Sequence, residues 1–358
     1  MNTPTHHDAI DLLCRIIEIP SMSGEEGGVA DCLQAVLSDW GVQVQRMGNN
    51  VWAVNRFFDP KKENLLLNSH LDTVPAGKAW TRDPFKAVKE GDRLYGLGSN
   101  DAGGALVCLL FTFVSFFQRE DLPCNLVFAG TAEEENSGPG GLASLLSHLP
   151  QTHTAIVGEP TEMNAALAER GLLVLEATTH GVAGHAARSG GDTAIDLAVD
   201  DLVTIRTLKF PKESSTLGPI KLSVNVIHAG KRHNVVPASC GYKIDVRLTD
   251  AMHADEVLSF LETNLNATLK VQSVRHCPPA MKPEHPLARS AAHSGAQLYI
   301  SPTTSDRALI PVPTLKMAPG RSERSHTADE FILLSEIKNG LESYGVMLES
   351  YFQILKAQ

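Results

Sequence analysis

The chain has 358 residues, 43% hydrophobic and 20% charged, which suits a soluble α/β-sized core of one large domain or two. Its formal net charge is −10 and it carries no basic block, which argues against a nucleic-acid partner. The longest apolar run, residues 105–117, is too short for a bilayer and is interrupted by Thr112 and Ser115, so no membrane partner is expected.

The N-terminal segment with His6-His7 is polar and lacks a signal-peptide apolar core, which leads to the expectation of a cytoplasmic protein. Apolar spacing at Ile10, Leu13, Cys14 and Ile17 predicts a helix over 8–19, ended by Pro20. Residues 21–26 read as a loop and helix cap, followed by a helix to about Trp40. Strands are predicted at 51–58 and 64–70, the second built on Leu65-Leu66-Leu67. A turn-rich stretch at 91–98 leads through Ser99-Asn100-Asp101 into a helix over 102–118, which makes Asp101 an expected N-cap. Buried strands follow at 125–129 and 154–158.

From about Gly171 two β-α-β halves succeed each other. Their strands are expected at 172–178, 220–226, 240–247 and 267–274, and their helices at 193–208 and 254–265. A helix after Pro286, a strand at 312–317 and a last helix after His326 complete the order. The six cysteines, Cys14, Cys32, Cys108, Cys124, Cys240 and Cys277, are scattered and read as reduced thiols.

Chemistry-bearing residues gather where strands end. His70 and Asp72 are two apart, so their side chains can point the same way. Glu133-Glu134-Glu135 follows one buried strand and Glu159 another. Three consecutive acids repel one another, yet the carboxyl end of an open α/β sheet is where ligand residues sit. The candidate metal set is His70, Asp101, Glu134, Glu159 and His326, with Glu133 beside it. Two imidazoles and several carboxylates suit zinc or a similar borderline divalent ion. Such a set can hold two ions about 3.5–4 Å apart if one carboxylate bridges, and ions of this kind acidify water enough to attack an amide. The water needs a base, which one of two adjacent glutamates can supply while the other ligates.

Taken together, residues 67–75, 95–104, 131–135, 157–161 and 325–330 resemble the zinc aminoacylase and carboxypeptidase family. It includes acetylornithine deacetylase, succinyl-diaminopimelate desuccinylase and carboxypeptidase G. The resemblance runs from about residue 8 to 335 and looks nearest to acetylornithine deacetylase, on Trp80, Asp83-Pro84-Phe85 and residues 318–326. It implies a zinc-exopeptidase-like α/β/α catalytic domain at 1–168 and 279–358. A ferredoxin-like α+β lid and dimerisation domain would be inserted at 169–278. Asp101 would bridge two divalent ions, zinc or alternatively cobalt. His70 and Glu159 would complete one site, and Glu134 and His326 the other. Glu133 would be the general base, and Asp72 would orient His70. His185 would support the oxyanion across a homodimer, while Asn234 and Arg247 would bind the substrate.

The implied activity is removal of an acetyl or succinyl group from a small-molecule, ornithine-like N-acyl amino acid in arginine biosynthesis. The alternatives are a succinyl-diaminopimelate desuccinylase, an N-acetylcitrulline deacetylase, a dipeptidase or, from another class, a non-catalytic metal-dependent amino-acid-binding protein. Ala102 and Leu97 depart from the family pattern, where Met and Arg are common. Arg321 and Arg324 read as solvated charges rather than as contacts for an acidic acyl group.

Overall fold

The computed structural model describes residues 4–188, 190 and 192–357. Residues 1–3 and 358, at the ends of the expected catalytic domain, and 189 and 191, in the expected insert, lie outside that description. The chain divides into two compact units, Met1–Ala168 with Pro279–Tyr299 and Ser305–Gln358, and Glu169–Pro278 with Ile300–Thr304.

The first unit opens with α1 (His6–Ile17), where Thr5 and Asp8 form a reciprocal capping box. It continues through α2 (Gly27–Asp39), β1 (Gln45–Met47), β2 (Asn50–Val54), β3 (Asn64–His70), β4 (Val88–Glu90) and β5 (Arg93–Tyr95). Next come α3 (Gly104–Phe116), β6 (Asn125–Thr131), α4 (Leu142–Leu145), β7 (Thr154–Val157) and β8 (Ala165–Glu169). The second unit supplies β9 (Gly171–His180), β10 (Gly184–His185), α5 (Ala194–Thr207), β11 (Lys221–Ala229), β12 (Val235–Val236), β13 (Ser239–Leu248), α6 (Ala254–Asn264) and β14 (Thr268–Arg275). The chain then continues with α7 (Pro286–His293), β15 (Leu298–Ser301), β16 (Thr314–Lys316), β17 (Phe331–Leu333) and α8 (Leu334–Lys356).

An eight-stranded sheet, ordered β1-β2-β6-β3-β7-β16-β8-β15, forms the middle layer of the first unit. β6, β3, β7 and β16 run parallel, with β2 and β8 antiparallel to their neighbours. The continuous apolar runs of β3 and β6 reflect burial on both faces. Leu65, Leu67, Leu126 and Phe128 pack on the side of α1, α2, α3, α7 and α8. Leu66, Val127 and Ala129 pack on the other side, with Leu142 and Leu145 of α4 and Ile310. The result is an α/β/α sandwich in which parallel β3, β6 and β7 end along one edge. The apolar stretch Ser99–Phe116 is 94% buried, so it serves as a core segment of this sandwich.

Two local expectations change. The strand predicted over 51–58 stops at Val54, because the chain turns aside and the Arg56 N–H bonds the Phe117 carbonyl. The small sheet β17-β5-β4 was not predicted, since strands of three residues are too short to show a period.

In the second unit, β11-β13-β9-β14 form an antiparallel sheet in βαββαβ order, a ferredoxin-like arrangement. β9 alternates buried and half-exposed residues, and its inward Leu173, Leu175 and Ala177 share one core with Ala198 of α5 and Leu261 of α6. Asp201 of α5 is buried and accepts hydrogen bonds from the Tyr242 hydroxyl at 2.6 Å and the Asn266 and Ala267 N–H groups at 2.7 and 3.0 Å. Asp201→Ala would strand these donors, and each buried orphan costs about 1–3 kcal/mol. We expect this variant to lower the urea midpoint of the second unit by the equivalent of about 3 kcal/mol; an unchanged midpoint would show that water replaces the carboxylate freely.

Candidate metal centre

His70 closes β3 with its ring buried. Its Nδ1 donates to the Asp72 carbonyl at 2.9 Å, which turns Nε2 toward the acids of the site. That Nε2 lies 3.4 Å from Asp101 Oδ1 and 3.9 Å from Glu159 Oε1. A second triad forms beside it, where His326 Nε2 is 3.5 Å from Asp101 Oδ2 and 3.0 Å from Glu135 Oε2. Within each triad the donor atoms lie within 4.8 Å of one another, and Asp101 lends a different oxygen to each.

Asp101 is not the N-cap that the sequence suggests. α3 begins at Gly104 without a side-chain cap, while Asp101 has extended backbone angles (φ −122°, ψ 98°) and a cis peptide to Ala102. Its carboxylate is thereby free of capping duty.

The acidic run is shifted by one residue from its expected roles. β6 continues to Thr131, and the chain turns at Glu133 with φ 57°. The Glu133 carboxylate then accepts the Gly140 N–H at 2.8 Å. Gly138 and Gly140 leave it room, since a methyl on either would collide with it. Asp72 grips the next two residues, its Oδ1 taking the Glu134 N–H and its Oδ2 the Glu135 N–H, each at 3.0 Å. Glu135, not Glu134, therefore stands with His326 and Asp101, and Glu133 is turned onto its own loop. Glu134 lies near enough that its charge acts on both Glu135 and Glu159.

Further residues missed from sequence support the site. Buried Glu26 accepts N–H groups of Gly24 and Glu133 at 2.7 and 3.1 Å, and the Asn49 amide at 2.7 Å. Ser23 donates to Asp72 at 2.6 Å. No spacing rule announces these contacts; the only local signal is an acid beside glycines whose amides need acceptors.

Electrostatics describe a donor set suited to cations. Burial pushes the Glu159 carboxyl well above the usual range, with Asp101 and Glu134 adding to the rise. Burial raises Glu135 too. Asp101, although buried, is held low by its hydrogen bond to His70. Asp72, also against burial, is brought down to about 2 by His70. Carboxylates outnumber imidazoles here, and one divalent ion in each triad would offset the excess. Oxygen and imidazole donors without thiolate fit zinc or a similar ion.

The bond to Glu135 raises His326 from 6.5 to about 9. At pH 7 that imidazole holds a proton it must release to become a ligand. Ion uptake at pH 7 is thus expected to release at least one proton, with affinity rising as pH climbs toward about 9. Calorimetry in two buffers of different ionisation enthalpy measures this; uptake without proton release would remove His326 from the ligand set.

His185 and Asn234 belong to the second unit, where β10 pairs with β12 and the Ala186 N–H bonds the Asn234 carbonyl at 3.1 Å. Both side chains are exposed. Arg247 makes a two-point pair with Asp245 at 2.8 and 3.0 Å. Arg321 pairs with Glu162 at 3.1 Å with both about half exposed, and Arg324 pairs with Glu336 at 2.7 Å while lying 4.5 Å over the Phe331 ring.

Comparison with known proteins gives a consistent picture. The model of peptidase family M20/M25/M40 matches residues 66–350. Succinyl-diaminopimelate desuccinylase 2 of Ruegeria sp. (strain TM1040) is 26% identical over 280 residues, covering 73% of this chain and 70% of that protein. Acetylornithine deacetylase of Edwardsiella ictaluri (strain 93-146) is 26% identical over 354 residues, covering 90% and 92%. Among solved structures, the M20 family metallo-carboxypeptidase Sso-CP2 from Sulfolobus solfataricus superposes with a TM-score of 0.78 at 18% identity, over 97% of this chain and 99% of that one. The YXEP protein of Bacillus subtilis, described as a dinuclear metal binding peptidase, has a TM-score of 0.70 at 15% identity, over 99% of both chains.

Proposed function

This chain belongs to peptidase family M20/M25/M40 and is a metal-dependent hydrolase of amide bonds, and on that premise we propose that it deacylates N-acyl amino acids. The substrate in this reading is an ornithine-like amino acid carrying an acetyl or succinyl group, within arginine biosynthesis. The observation that carries the reading is the sharing of Asp101 between two triads, with Glu134 acting on both. In this reading His70, Asp101 and Glu159 hold one zinc ion, and Asp101, Glu135 and His326 the other. When bound, the ions supply an acidified water and a polarised amide carbonyl.

Glu134 takes the proton of the attacking water and passes it to the leaving nitrogen. Asp72, by bonding both the Glu134 and Glu135 amides, keeps base and ligand on separate headings. His185 is our candidate for oxyanion support, and Asn234 and Arg247 for contact with the substrate carboxylate. Arg247 reaches a substrate only by leaving Asp245 or sharing it. His185→Ala should lower kcat while ion loading stays intact; unchanged kcat removes it from the mechanism.

The alignment with an acetylornithine deacetylase, over 90% of this chain and 92% of that protein, supports the ornithine substrate. The desuccinylase names of other relatives favour N-succinyl-diaminopimelate as a second reading. Turnover of N-acetylornithine, N-succinylornithine and N-succinyl-diaminopimelate, with zinc or cobalt and with chelator, separates the readings. Metal-dependent release of ornithine supports the first. Release of diaminopimelate alone moves the enzyme to the second.

The working form we propose is a cytoplasmic homodimer joined through the second unit. Ile195, Val199 and Val203 support it, since they recur every four residues along α5 and are 39–58% exposed. Light scattering that gives a monomer at assay concentration would reject the dimer.

A further inference from the structure

Glu330 lies in the loop before β17, and its residue surface is 2% exposed. Its Oε1 accepts the Asn100 and Asp101 N–H groups at 2.8 and 2.9 Å, and its Oε2 accepts the Gly98 N–H at 3.1 Å. One buried carboxylate thus gathers three backbone donors from four consecutive residues, the last of which is Asp101. Gly98 reaches it with φ 73°, a conformation that costs glycine little. The Glu330 carbonyl adds a fourth tie, accepting the Gly96 N–H at 3.0 Å.

The same segment is held from its other side. The Asn100 side chain donates to the Arg321 carbonyl at 3.0 Å and accepts the Arg321 N–H at 2.8 Å. Residues 321–330 therefore do more than carry His326. They fix the backbone from which Asp101 projects, and Asp101 must offer one oxygen to His70 and the other to His326. The neighbouring acid does a different task, because the Asp329 carboxylate takes the Thr81 and Arg82 N–H groups, each at 3.0 Å.

We propose that Glu330 is the positioning residue for the shared carboxylate: by binding the amides of Gly98, Asn100 and Asp101 it sets Asp101 astride the two triads. This rests on the two-ion reading above. Glu330 touches neither substrate nor ion in this account and acts through Asp101. A plain structural tie would stabilise the chain with or without ions. A positioning residue changes how tightly, and in what geometry, a folded chain holds its ions.

Equilibrium dialysis with zinc, and the visible spectrum with cobalt(II), test this on the wild-type chain and on Glu330→Ala, Glu330→Gln and Asp329→Asn. Circular dichroism confirms the fold of each. Loss of an outer-shell partner typically costs 10–100-fold in metal affinity, so Glu330→Ala should weaken uptake about 10–100-fold and shift the cobalt bands. Glu330→Gln keeps one acceptor oxygen and should recover part of the affinity, while Asp329→Asn should stay within about threefold of wild type. Wild-type affinity and spectrum in both Glu330 variants overturn the proposal. Equal weakening by Asp329→Asn overturns it too, since the cause would then be a loosened loop. Should Glu330→Ala fail to fold, Glu330→Gln against Asp329→Asn decides. A wild-type chain that takes up no divalent ion would overturn the two-ion reading itself, a result distinct from failure of the Glu330 step.

Discussion

Glu134→Gln is expected to lose about 10²–10⁴-fold in kcat, the usual worth of a general base, while still taking up two ions. Glu133→Gln should keep kcat within about tenfold and lose only the stability of one hydrogen bond, about 1 kcal/mol. The contrast follows from the turn at Glu133. Its carboxylate is engaged by the Gly140 N–H, whereas the Glu134 backbone is fixed by Asp72 and its charge is felt by Glu135 and Glu159. Glu135→Gln should behave differently again, weakening ion uptake in step with activity, because Glu135 is the acid beside His326. Steady-state kinetics with metal analysis of the same samples separates the three. An inactive, fully loaded Glu133→Gln beside an active Glu134→Gln would return the base to the residue that family resemblance first implies.

Asp101→Ala has the second large expected effect. Each triad would lose an oxygen at once, since Asp101 Oδ1 faces His70 and Oδ2 faces His326. We expect zinc content to fall below one ion per chain and kcat/KM to drop about 10³-fold or more, the equivalent of about 4 kcal/mol of barrier. His326→Ala should spare the triad of His70, Asp101 and Glu159 and retain one ion. Metal analysis after dialysis reads both. Equal zinc content in the two variants would mean that Asp101 belongs to one triad only.

Much of this fold is legible because parallel strands buried on both faces write themselves as unbroken apolar runs. Leu65-Leu66-Leu67 and the stretch from Leu126 to Ala129 are such runs, and their ends locate His70 and the acids after β6. Strands β8, β15 and β17 are short or lie where composition gives no period, and they emerge only from pairing.

The site divides along the same line. His70, Asp101, Glu159 and His326 are residue types that stand out at strand or helix ends, and the structure gathers them. The choice among three identical acids is not local, because it depends on one positive φ and on a carboxylate more than sixty residues away. Glu330 is more remote still, meeting Asp101 across 229 positions of sequence. Hydrogen bonds of that span leave no trace in residue spacing.

The interrupted path of the first unit has a consequence for how the chain comes off the ribosome. β16 lies between β7 and β8 in the large sheet, yet it is made after the whole run from Glu169 to Pro278. Until residue 316 has emerged, β7 and β8 lack the strand that joins them, and the nascent chain carries His70 and every acid of the two triads but no His326. The second unit is continuous apart from residues 300–304 and can bury its core from its own sequence first. Translation thus leaves the large sheet open longest and supplies its second imidazole last.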